Sequence, residues 1–282
     1  MSPSLSKFIP IFWKSTGRNN VLPLSDKPMK TLGIITCQIL ELEFAYILAR
    51  DSDIGSISII EDAFSEGFIK ALESRGVKNF HRLGGEENFR PDLVSEKFSI
   101  LVRVMELGLH NRKRLLQQGM VKAVQDMAPQ VDAIMLGYGL CGNALENPED
   151  LLGSARVPLF LPMDTDHPVD DCVGLIIGGR EFYYEEQCRK AGTFFMIPGF
   201  ARHWRDLFQK EIDRFGLDMV KRMFEAYERT LIIPTPVLSE VQMRPEVDSF
   251  NQLFGLRSEV REGTLEILLK TLDRAKAALL QG

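Results

Sequence analysis

Cysteine, histidine and tryptophan are scarce in this chain: four, four and two among 282 residues. The cysteines, Cys37, Cys141, Cys172 and Cys188, stand far apart, so a disulfide-stapled scaffold is excluded and thiols or ligands are expected. No C-x-x-C pair marks a zinc knuckle, no P-loop offers a phosphate cradle, and no G-x-S-x-G elbow supports a serine triad. Positive charge is not in excess: 34 Lys and Arg face 39 Asp and Glu, for a net charge of -5, which argues against a nucleic-acid partner. Long apolar runs are missing too. "AIMLGYGL" and "VGLIIGG" are far too short to span a bilayer, and the first twenty residues lack the pattern of a cleavable leader. These absences lead to a cytoplasmic reading with no membrane association.

What is present is an ordinary globular composition, 45% hydrophobic and 26% charged. Residues 1–29, rich in Ser, Pro, Asn and Lys with Phe8, Phe12 and Trp13, read as an N-terminal extension that packs on the body or on a partner subunit. Residues 30–282 read as a single domain in which strands and helices alternate. "TLGIIT" (31–36), "SISIIED" (56–62) and "AIMLGYG" (133–139) are strand runs, and "FSILVRVMEL" (98–107) fits a strand or a buried helix. "VPLFLPMD" (157–164) and "CVGLIIGG" (172–179) are further apolar runs, and "RTLIIPTPV" (229–237) is a late strand. Helical spacing occupies 41–51, 63–76 (closed by Gly76), 110–127, 204–227 and 263–280. The alternation predicts an α/β fold, a mostly parallel sheet flanked by helices.

In such sheets ligands gather at the carboxyl ends of the strands. Cys37 and Cys141 both fall at such ends, and Cys172 follows the polar loop "MDTDHPVDD". Three cysteines from separate segments could therefore meet at one site, whereas Cys188, in the charged stretch "YYEEQCRKAG", fits a structural role. A soft-metal site wants thiolates and imidazole, and His110 or His167 could complete it. His81 and His203 have no supporting context. Among carboxylates, Glu43 could point back from a helix that starts after Cys37, and Asp171 precedes Cys172; with His167 they are candidates to orient ligands or move protons. Gly139, Gly142 and Asn143 flank Cys141 and would let the backbone pass close to a bound group. A lone cysteine nucleophile and buried filler both stay open. A nucleotide fold has weak support from the glycines in "LIIGGRE" and "KAGTFF", whose backbone N–H groups could approach a phosphate.

The stretches "TCQILELEF", "ELGLHNRKRLL", "IMLGYGLCGNAL", "DDCVGLIIGGREFYY" and "AGTFFMIPGF" together resemble the prokaryotic family catalogued as domain of unknown function 1638. The likeness runs from about residue 31 into the 200s, in order. It implies that the family's Cys, His, Cys and Cys fall on Cys37, His110, Cys141 and Cys172, and it implies a setting near corrinoid-linked methyl metabolism. Asp170 stands where many members have a histidine; His167 lies three residues earlier. The expectation is therefore a metalloprotein with zinc on these four residues, acting on a small molecule by thiol or methyl transfer. The alternatives are a [4Fe–4S] cluster or iron on the same three cysteines, or a metal- or corrinoid-handling accessory that docks on a protein partner or on its own copy.

Overall fold

The computed structural model describes residues 31–84, 89, 97–141, 144–145, 147–153 and 155–281. The expected extension at 1–29 lies outside the described residues. The chain runs through β1 (Thr31–Cys37), α1 (Glu41–Arg50), β2 (Ile54–Glu61), α2 (Glu66–Ser74), β3 (Phe80–Gly84), β4 (Phe98–Met105), α3 (Lys113–Met127) and β5 (Ala133–Gly137). It continues through α4 (Pro148–Leu152), β6 (Leu159–Phe160), a small hairpin of β7 (Met163–Asp164) and β8 (His167–Pro168), and then α5 (Cys172–Ile177) and α6 (Arg180–Arg189). The last part holds β9 (Thr193–Met196), α7 (Pro198–Phe215), α8 (Leu217–Met223), β10 (Arg229–Ile232), α9 (Glu240–Phe254), β11 (Arg257–Val260) and α10 (Glu266–Gln281).

Six strands form one parallel sheet in the order β3-β2-β4-β1-β5-β6. The central strands are apolar on both faces: every residue of β1 and β5 is buried, as a parallel sheet covered on both sides requires. Gly33 lies under Met127 of α3, whose sulfur would stand 2.4 Å from an added Cβ. Gly137, register partner of Thr36, lies under Phe44 of α1 in the same way. Positions 33 and 36 of one strand point to opposite faces, so α3 and α1 cover the two sides.

The single expected sheet is not the whole architecture. A second parallel sheet, in the order β11-β10-β9, is built from four-residue strands, two of which carry no alternating run long enough to read from sequence. Its side chains alternate between two cores. Phe195 and Leu231 join the core of the large sheet, while Met196 and Ile232 pack with Trp204, Phe224 and Phe250 on the far side. "CVGLII" is a helix rather than a strand: Asp171 caps it by accepting from Gly174 N at 2.8 Å, and Gly178, at φ 100°, ends it.

Candidate functional site

β4, β1 and β5 lie side by side, with Cys37 opposite Met105 and Thr36 opposite Gly137, so their carboxyl ends open on a shared crevice. β1 delivers Cys37 as its last residue. β4 passes into the turn that carries His110, and β5 passes into Tyr138–Cys141. Cys172 arrives from the start of α5. Cys37, His110, Cys141 and Cys172, named in advance from four separate segments, all line one cavity of about 30 Å³. Tyr138 lines it as well, and Phe200 and Leu207 of α7 close it from the side of the second sheet.

Local backbone chemistry explains the convergence. A Cβ on Gly139 would come within 2.7 Å of Val169 O and Asp171 N. The missing side chain lets the loop after β5 lie directly on residues 169–171. Leu140 N then donates to Val169 O at 2.8 Å and Cys141 N to Asp170 O at 2.7 Å, which brings Cys141 up to Cys172. Gly139 thus lines the cavity, but its close backbone neighbour is the chain itself. Cys141 has φ 50°, unlike any other non-glycine among the described residues. A left-handed cysteine costs on the order of 1–3 kcal/mol and is a conformation usually retained where a site needs it. The His110 turn is tied to the end of β1, because Leu107 N donates to Gln38 Oε1 at 2.8 Å.

The crevice is electrostatically bare. Burial pushes the Cys37 thiol up. Cys141 is pushed up to about 12, by burial first and then by Cys37 and Asp171. Burial, then Asp171 and the other two cysteines, raise Cys172. Cys172 feels both other thiols and Cys141 feels Cys37, and among the described residues no Lys or Arg lines the cavity to ionise them. Tyr138 is raised by burial and by the same three cysteines, and its hydroxyl makes no hydrogen bond of acceptable geometry. His110 stands at the exposed rim; burial lowers its pKa, partly opposed by the Asp171 carboxylate. Asp171 itself is held by Gly174 N and by the Tyr183 hydroxyl, which donates at 3.1 Å. Among the described residues, no three His, Cys, Asp or Glu side chains converge closely enough to hold a metal ion as they stand.

The remaining predicted residues lie elsewhere. Glu43 is fully buried in α1, outside the cavity, with neither carboxylate oxygen bonded, and burial pushes it up to about 8. His167 is exposed on the β7–β8 hairpin, with Nδ1 2.6 Å from Pro168 O, and does not line the cavity. Gly142 and Asn143 lie outside the described residues. Cys188 is exposed on α6. Sequence reasoning missed Tyr138, although it sits inside "YGLCG", and the apolar wall from α7. It also passed over the order Gly137-Tyr138-Gly139-Leu140-Cys141-Gly142, which matches G-x-G-x-x-G. The context that gives that order its meaning is missing: among the described residues the next helix opens only at Pro148, Phe44 lies over Gly137, and residues 169–171 lie over Gly139.

Fold and crevice together define an α/β protein with a thiol-lined pocket at the ends of its central parallel strands. The chain belongs to the family whose model is described as Protein of unknown function (DUF1638), which matches residues 104–272. That span includes His110, Cys141 and Cys172; Cys37 precedes it and is placed beside them by the β1–β4 and β1–β5 pairings. No curated protein and no solved structure matches the chain.

Proposed function

We propose that this protein is a metalloprotein in which Cys37, His110, Cys141 and Cys172 hold one soft metal ion, zinc in the first instance, to act on a small thiol or methylated molecule. The observation that carries this reading is the meeting of four candidate donors from four distant segments on one cavity. The donor chemistry fits: three thiols and an imidazole suit zinc, and the buried, unbonded Tyr138 hydroxyl is a donor in need of an acceptor there. A lone cysteine nucleophile fits less well, because burial raises all three thiols and no cationic side chain lines the site. Four protein ligands fill the zinc tetrahedron, so zinc bound there would supply Lewis acidity to an incoming thiol or water only when one of the four gives way to it. Tyr138 would donate to that ligand. Asp171, held by Gly174 N and Tyr183, would keep Cys172 in place, and burial keeps His110 neutral, the form that can ligate a metal.

The test is metal analysis of the purified protein beside Cys37→Ser, Cys141→Ser and Cys172→Ser, with Cys188→Ser as control. The expected result is stoichiometric zinc in the parent and the control and its loss in the other three. Metal content that survives all three changes overturns the proposal. A brown protein with visible absorption bands replaces zinc by an iron–sulfur cluster.

A further inference from the structure

A second cavity lies between the C-terminal end of α2, α7 and the first turns of α9. Its volume is about 370 Å³, inside the roughly 300–1,000 Å³ range of small-ligand sites. Ser74, Arg75, Arg202 and Gln242 supply polar groups to its wall, and Leu42 and Val237 supply apolar ones. Buried polar atoms normally find hydrogen-bond partners. Among the described residues five buried side-chain nitrogens or oxygens have none; one, Arg75 Nε, belongs to the wall of this cavity, and three more belong to Glu41 and Glu43, which flank the lining residue Leu42 in sequence but do not line the cavity themselves.

The charges do not cancel within this group. Glu41 is occupied by Arg202 Nε at 3.2 Å and His203 Nε2 at 2.9 Å. Glu246, also on the wall, is occupied by Trp204 Nε1 at 2.9 Å and by Arg205. Burial pushes Glu43 up to about 8, so it is largely neutral at pH 7. Arg75 is left with two long hydrogen bonds, both 3.5 Å, to Ala71 O and Ser74 Oγ. Its guanidinium lies 5.6 Å from the Tyr46 ring, and the carboxylate it feels is that of Glu43, which burial holds largely protonated. A guanidinium presents five donors in a planar fork that matches carboxylate and phosphate oxygens.

We propose that this cavity binds a small organic anion, a carboxylate or a phosphate ester, whose oxygens take the Arg75 fork while Leu42 and Val237 cover its apolar part. Arg202 and Gln242 supply further donors. The site is separate from the cysteine cavity and does not depend on what that cavity holds.

The test titrates the full-length protein with two probes, inorganic phosphate and benzoate, by calorimetry. Saturable binding of either supports the site, and the stronger probe names the headgroup. Arg75→Met should weaken that binding about tenfold or more, as the loss of a charge-assisted bond implies. Arg75→Lys, which keeps the charge but not the fork, should fall between, and it serves alone if circular dichroism shows Arg75→Met unfolded. Arg112→Met, on the far loop, should change nothing. Binding of neither probe, unchanged binding in both Arg75 variants, or loss of binding in Cys141→Ser overturns the proposal.

Discussion

At the start of β10, Arg229 is wholly buried, and each of its three side-chain nitrogens donates: Nε to Thr193 Oγ1 at 2.8 Å, one terminal nitrogen to Glu259 at 2.5 Å and the other to Glu186 at 2.7 Å. At the end of β1, Cys37 has a 4.0 Å contact to Glu106 O and lies against the Tyr138 hydroxyl, which makes no hydrogen bond of good geometry. The small sheet encloses its polar groups in a closed network, backed by a tight cluster of aromatic rings around Phe250. The large sheet leaves polar groups unsatisfied at its carboxyl edge and accepts a left-handed cysteine beside them. Satisfied burial is what a structural element needs. Unsatisfied burial costs stability and is retained where a ligand supplies the missing partner.

The comparison can be broken hardest at Arg229. Arg229→Met removes the buried cation from Glu186 and Glu259, which keep the partly exposed Arg261 and Arg189, and urea unfolding should show a loss of about 3 kcal/mol with metal content unchanged. A smaller loss would mean that this network is not what holds the second sheet.

Glu43 gives a pH test. Its carboxyl is raised to about 8 in the folded protein against an unfolded value near 4.3, so the native state holds the proton more tightly. The stability this contributes is complete below about pH 4 and is lost as pH rises to about 8, on the order of a few kcal/mol. Glu43→Gln should flatten that decline in denaturation midpoints measured from pH 4 to pH 9. A variant that keeps the full decline refutes the assignment.

The join between the two regions is next. Gly199, at the start of α7, lies so close to the Ile39 carbonyl that an added Cβ would stand 1.8 Å from its oxygen. That neighbour is backbone and cannot swing aside. Gly199→Ala should therefore cost about 1–3 kcal/mol or more and also disturb the wall that Phe200 and Leu207 give the cysteine cavity, read as weaker zinc binding. Stability loss with intact zinc affinity would separate the two regions.

The smallest expected effect sharpens the contrast at Cys141. Cys141→Gly removes the left-handed strain and should stabilise the metal-free protein by up to about 1 kcal/mol while abolishing metal binding. A cysteine placed only for packing would instead lose stability on this change.

Much of the frame was legible in the chain. β1 and β5 announced themselves as apolar runs because strands buried on both faces carry few polar side chains, whereas the run of β4 fitted a strand or a buried helix until the sheet settled it. α3 and α10 were legible because each buries one stripe at helical spacing. α5 was not: a six-residue helix buried on nearly every side has no polar face to set a period. β9 and β11 are too short to show one.

The residue types available for chemistry and the strand ends that carry Cys37 and Cys141 are written in the chain, because hydrophobic patterning and glycine placement are local properties. Which residues share a cavity was set by the packing of distant segments. It brought Cys172 in through the backbone approach at Gly139, added Tyr138 and the α7 wall, kept Glu43 in a separate buried cluster with Arg75, and left His167 on the surface. Those outcomes rest on contacts between segments distant in the chain, which depend on complementary shape and backbone hydrogen bonding and leave no periodic trace in either segment alone.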